Sequence, residues 1–476
     1  MRKLLLTMLV VLSASWAGAQ GSSFTLEQCV EYALANAISI QNAVLDERSA
    51  VARVKEVTGM GMPQVTGTVS LSYNQKMRRF FAENIDTTVR DAFGFVQNVP
   101  GAKDRDVVAG QNFFQLKGTG DASITINQLI FNGSYFIGLQ AAKALKEQMV
   151  KSTTNSKVVV VDNVTKAFYL ALINRERISL FDSNIGRIDT LLRNTIALNK
   201  NGFVESIDVD RLQVALNNLV TEREKFISIQ DLSLEILKFQ MNYPMNSPLE
   251  ISGDIKSIDP IVNPEELKKN LDYSIKPEYQ SMEVARKLQE LNIKYNRTLG
   301  MPSLGAFANL GYFTQTSTVG GFFKTDTKIA NGSLIGPDKW YGYSMFGVAV
   351  NVPIFGGFQL THKIQQEKIA LLKIENGMKQ LKSGIDLEVK SSLTSYQNAI
   401  RSMESQKQNM DLSFKIARVT KIKYEQGVGS NLEVLDAENV LKESQLNYYT
   451  AMYDAVVAKV NLDKAFGKLL PEVKTN

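Results

Sequence analysis

Gly202-Phe203-Val204-Glu205-Ser206-Ile207-Asp208-Val209 and Gly427-Val428-Gly429-Ser430-Asn431-Leu432-Glu433-Val434 align without a gap, each opening on glycine and closing on an acid followed by valine. Upstream of each, Ile130-Phe131-Asn132-Gly133 recurs as Ile354-Phe355-Gly356-Gly357. Further upstream, Gly61-Met62-Pro63 recurs as Gly300-Met301-Pro302, with Leu71-Ser72-Tyr73 matching Leu310-Gly311-Tyr312 at the same offset. Landmarks repeated in one order at long period mark an internal duplication. Each copy reads helix, strand, loop, strand, and then two long helices joined at a glycine turn. A stretch around 242–276 holding Pro244, Pro248, Pro260 and Pro264 reads as the connector between copies. The expected division is a signal at 1–19, a first repeat at 20–245 with strands at about 63–75 and 119–131 and a helix pair at about 133–240, and a second repeat at 246–476 with strands at about 302–314 and 342–355 and a helix pair at about 357–467.

The strand segments alternate with period two. Val65, Val69, Leu71 and Tyr73 interleave with Gln64, Thr66, Thr68, Ser70, Ser72 and Asn74, so one face is apolar and the other hydroxylated. Ala122, Ile124 and Ile126 alternate with Ser123, Thr125 and Asn127. Ala306, Ala308, Leu310 and Tyr312 follow the pattern less strictly, and Val348, Val350, Val352 and Ile354 alternate with Ala349, Asn351 and Pro353. All four are of membrane-crossing length. An antiparallel sheet on a soluble core has the same alternation. The long polar segments 76–118 and 315–341 favour the surface loops of an outer-membrane barrel.

Proline is absent from Gly133 to Tyr243 and from Gly357 to Leu470, so each stretch can run as helix broken only at its glycine turn. The 67 residues from Ser134 to Lys200 would extend about 100 Å at the helical rise. Met378, Leu381, Ile385, Val389, Leu393, Tyr396, Ile400 and Met403 step by three or four, as do Val209, Leu212, Leu216, Leu219 and Phe226, which reads as coiled-coil-like packing.

Of 476 residues 44% are hydrophobic and 21% charged, with 54 Lys+Arg against 48 Asp+Glu, one histidine (His362) and one cysteine (Cys29). That leaves almost no side chains for a metal site, a nucleophilic triad or a disulfide framework. The formal charge of +6 is spread along the chain and points to no nucleic acid. The scattered carboxylates offer no tight acid/base pair, so no enzyme is expected, and no cofactor. Arg2 and Lys3, the apolar run Leu4–Leu12 and Ala17-Gly18-Ala19 read as a secretory signal cut near Ala19. Cys29 falls in a helical pattern and reads as a small buried hydrophobe.

Together with Phe24-Thr-Leu-Glu-Gln28 near the start of the mature chain and Tyr424-Glu-Gln-Gly427 followed by Glu433-Val434-Leu435-Asp436-Ala437, this plan resembles the TolC family of outer-membrane efflux proteins over nearly all of residues 22–470. The resemblance implies a mainly α fold with transmembrane β: a homotrimer whose twelve-stranded barrel continues into a periplasmic α-helical barrel. It also implies a passive exit channel in the outer membrane, served by a periplasmic adaptor and an inner-membrane transporter. Physics points the same way on stoichiometry, because four strands cannot close a barrel and an open edge in lipid leaves backbone groups unpaired. Eight strands would fill with side chains, whereas twelve leave a pore. The turns at Gly202, Gly427 and Gly429 are expected to form the periplasmic mouth. The resemblance places Glu433 and Asp436 in an acidic ring there and pairs Asp208 with Tyr424 between neighbouring hairpins. Helix N-capping is a second role for the same carboxylates. A secreted coiled-coil scaffold or envelope structural protein is the alternative, and it leaves the amphipathic strands unexplained.

Overall fold

A computed structural model of the chain describes residues 23–84, 101–110, 115–255, 272–323 and 340–470. The expected signal at 1–19, Pro260 and Pro264 of the connector, and parts of both long loops lie outside them. Two compact units form: a helical one comprising residues up to Ala52, Lys143–Glu290 and the chain from Ile369, and a second one, Arg53–Ala142 with Leu291–Lys368, that carries the strands.

Thr25 starts helix α1 (Leu26–Asn36) with a capping box shared with Gln28, and α2 spans Ile38–Gly59. Two short turns of tight helix flank the later elements, at Tyr273–Ile275 and Val319–Phe323, and α5 spans Pro277–Thr298. The long helices are α3 (Gly133–Lys200, 68 residues), α4 (Ser206–Met241), α6 (Gln359–Glu425, 67 residues) and α7 (Asn431–Ala465). Asn132 starts α3, its Oδ1 accepting from the Ser134 and Tyr135 backbone N–H groups. Asn242 stops α4 in the left-handed conformation. Among the described residues, no helix is long and apolar enough to cross a membrane.

The helical unit is held by apolar stripes. Cys29 and Ala33 of α1 pack with Phe168 and Leu172 of α3, Leu237 and Met241 of α4, and Ile251 and Ile255 of the connector. The α6 stripe buries Ile385, Val389, Leu393 and Tyr396 against Ala458, Leu462 and Ala465 of α7. Polar groups set the register between repeats. Asp162 takes Lys464 Nζ at 2.7 Å, Arg177 donates to Thr450 at 2.7 Å, Asn184 donates to Gln445 at 3.4 Å and Arg187 meets Glu438 at 2.9 Å. As α3 positions rise α7 positions fall, so the two helices run antiparallel. A slip of either would leave partly buried charges without partners, which costs more than the pairs contribute.

In the second unit β1 (Gln64–Tyr73), β4 (Gly118–Phe131), β5 (Ser303–Thr316) and β6 (Tyr341–Asn351) form one antiparallel sheet in the order β1-β4-β5-β6. The register joins the alternating patterns of the separate strands. Val65, Ile126, Ala308 and Phe346 lie in one row, and Val69, Ala122 and Tyr312 in another on the same face. The opposite face carries Thr66, Thr125 and Asn309 in one row, and Thr68 and Ser123 in the next. Among the described residues no second layer covers most of the apolar face: Val65, Val69, Phe346, Val348 and Val350 are all well exposed, and Phe322 and Trp340 shield only its Gly118–Gly120 end. Between β1 and β4, a stretch read as loop forms a short ribbon, β2 (Phe80–Glu83) against β3 (Val107–Gly110). Four residues per strand are too few to register as a period.

Candidate functional site: the helix-hairpin ends

The α3–α4 and α6–α7 hairpins turn by the same device. Gly202 stands at φ +78° and Gly427 at φ +74°. In the first turn the N–H groups of Gly202 and Phe203 donate to the carbonyls of Asn199 and Leu198. In the second those of Gly427 and Val428 donate to Tyr424 and Lys423. This doubled bond pattern satisfies carbonyls that the helix end leaves free, and its left-handed residue favours glycine. Gly429 is different: it has no left-handed φ, and a Cβ there would stand 3.2 Å from the Tyr424 backbone nitrogen.

Beyond the turns the repeats cap differently. Ser430 accepts from the Glu433 N–H at 3.3 Å, whereas Glu205, its repeat equivalent, makes no side-chain cap. Asp208 and Glu433 occupy equivalent places in the first turns of α4 and α7, where a negative charge faces the positive end of the helix. Asp208 is about three-quarters covered and lies 3.7 Å from Arg211. Glu433 and Asp436, three residues apart, are exposed on α7.

Within the protomer Tyr424 pairs with Thr195 of α3, hydroxyl to hydroxyl, at 3.1 Å. Asp208 is engaged instead through its backbone carbonyl, which accepts from Asn431 Nδ2 at 3.0 Å. Leu191, Leu192, Leu212 and Val434 are buried beneath these contacts, with Val209 and Tyr424 at the margin. The four helix ends are thus locked by one apolar plug and two polar links, Thr195–Tyr424 and Asn431–Asp208.

The side chains that sequence reasoning overlooked here are apolar. Phe203 and Val428, both directly after the turn glycines, are 77% and 78% exposed, and Ile207 and Leu432 stand exposed one helical turn on. Their signal was available, since the repeat alignment puts an apolar residue at both positions in both copies. These apolar side chains thus stand in open water at equivalent places in the two repeats.

A family model for outer membrane efflux proteins matches residues 275–468. The probable efflux pump outer membrane protein TtgC of Pseudomonas putida is 22% identical over 326 residues, covering 67% of this chain and 62% of that protein's length. The solvent efflux pump outer membrane protein SrpC of Pseudomonas putida is 24% identical over 380 residues, or 74% of this chain and 73% of SrpC. Among solved structures, CusC superposes with a TM-score of 0.69 at 14% identity, over 94% of this chain and 95% of CusC. The Neisseria gonorrhoeae MtrE outer membrane channel gives a TM-score of 0.69 at 15% identity, over 94% and 91%. At such identity these superpositions establish a shared fold, helical for the most part with one sheet.

Proposed function

We propose that the chain, whose residues 275–468 match the family model for outer membrane efflux proteins, is the passive outer-membrane exit duct of a multi-component export system. Three copies would close a twelve-stranded barrel in the outer membrane, continuous with a barrel of helices in the periplasm. The family is one of efflux-channel proteins, not of enzymes. The observation that carries the reading is the sheet: among the described residues no further strand pairs with β1 or β6 at its edges, and most of its apolar face is exposed. In lipid, unpaired edge groups cost several kcal/mol each, and closure with other copies removes both edges while apolar side chains meet acyl tails. A coiled-coil scaffold would have no use for such a sheet.

On this reading the turns at Gly202 and Gly427 line the periplasmic mouth. Asp208, Glu433 and Asp436 set its charge, and the exposed Phe203, Val428, Ile207 and Leu432 receive a periplasmic adaptor that links the duct to an inner-membrane transporter. The protein's part is then geometric and electrostatic, with energy and cargo choice supplied by those partners. The test is biochemical. Outer-membrane fractions should yield a detergent-dependent, heat-modifiable trimer that conducts in planar bilayers, and crosslinking in the native envelope should capture adaptor and transporter. A monomer in the soluble fraction would refute the reading.

A further inference from the structure

The four strands of the sheet contain one charged residue, Asp121 of β4. It lies on the hydroxylated face, opposite Ser70 of β1. Its carboxylate is held on both sides: Tyr343 Oη donates to Oδ2 at 2.8 Å and Ser123 Oγ to Oδ1 at 2.9 Å. Tyr343 is on β6, two strands away, and reaches across Gly311, its register partner on β5. Gly311 has no room for a Cβ, which would stand 2.8 Å from that of Ser123, so the tyrosine crosses β5 with no side chain in its way. No described lysine or arginine forms an ion pair with Asp121.

A structural strut between β4 and β6 needs no charge, because asparagine or serine would accept the same hydrogen bond. An unneutralised carboxylate on an otherwise uncharged face changes what passes in front of it. We infer that Asp121 is a charge-selecting residue of the strand region, a determinant of ion preference separate from the hairpin-end carboxylates and favouring cationic solutes. The inference rests on the closed-trimer reading, under which the hydroxylated face lines the lumen and three copies of Asp121 stand at one level.

Lumen-facing substitutions in such barrels tune selectivity, and the size of this effect follows from Coulomb's law with screening. Three carboxylates roughly 12 Å from a water-filled axis, at a Debye length of about 30 Å in about 0.01 M salt, enrich cations about threefold and deplete anions by the same factor. In about 1 M salt the Debye length is about 3 Å and the effect disappears.

The experiment uses the full-length protein carrying Asp208→Asn, Glu433→Gln and Asp436→Asn, so that the mouth carboxylates contribute no charge of their own, and reads reversal potential across a KCl gradient in a planar bilayer. This background should keep a cation preference at about 0.01 M and lose it at about 1 M. Adding Asp121→Asn should abolish the low-salt preference, whereas adding Tyr343→Phe, which keeps the charge, should retain it. Should Asp121→Asn fail to assemble, Ser70→Lys answers the same question by placing a cation at the register partner, with Ser70→Gln as control. An unchanged reversal potential in assembled Asp121→Asn or Ser70→Lys trimers would overturn the inference, as would an equal loss in Tyr343→Phe. A background protein that forms no pore at all would refute the channel reading itself.

Discussion

Cys29 has no accessible surface, and burial pushes its thiol up to about 12 from an ordinary value of 9.0. The native protein should therefore resist a thiol reagent at pH 8 and react fully once unfolded in denaturant; rapid native labelling would contradict the packing of α1. The sign of the linked pH effect follows. A proton held more tightly in the folded state makes stability fall as pH rises above about 9, because only the unfolded thiol then ionises. At the turns, Gly202→Ala and Gly427→Ala have open space for a methyl group but must hold a left-handed backbone. Each should lower the unfolding free energy by about 1–2 kcal/mol, read from the denaturant midpoint. Those glycines were legible in the sequence, because a break between two proline-free helical stretches that opens on glycine in both copies has a backbone reason. The Thr195 contact of Tyr424 within the protomer was not. A repeat alignment aligns positions, and which hydroxyl a side chain meets 229 residues away depends on how the helices pack sideways.

At the scale of elements, periodicity was the readable quantity. The α6 stripe of Ile385, Val389, Leu393 and Tyr396 is visible as steps of three and four, and those residues are buried. Period two in β1 assigns side chains to two faces, but strand order needs register, which alternation does not encode: β4 pairs with β5 although nearly two hundred residues separate them. The short β2–β3 ribbon escaped because its strands are below the length at which any period can be counted. The faces give a paired prediction. Leu71→Arg puts a charge on the apolar face and should cost about 2–4 kcal/mol near the membrane midplane, seen as loss of heat-modifiable trimer. Ser70→Arg, on the hydroxylated face, should assemble. Equal damage from both would argue against a lipid-facing sheet.

For the whole assembly, on the proposed closed-trimer reading, opening the mouth would separate helix ends that each protomer ties by Thr195–Tyr424 and Asn431–Asp208. Tyr424→Phe with Thr195→Val removes a neutral pair of about 0.5–1.5 kcal/mol per chain, and single-channel conductance should rise. Glu433→Gln with Asp436→Asn should leave that conductance near its original value while weakening cation preference and block by divalent ions. Unaltered conductance in the first variant together with unaltered ion preference and divalent block in the second would move the constriction elsewhere in the duct. The bare edges at β1 and β6 have a genetic consequence as well. If three copies close the barrel as proposed, every chain relies on its siblings at the edges β1 and β6, so a subunit with a ruined edge would spoil any ring it joins. In a cell making sound and damaged chains equally, about one ring in eight would contain sound chains alone. Alleles that damage β1 or β6 but still allow joining should therefore behave as dominant.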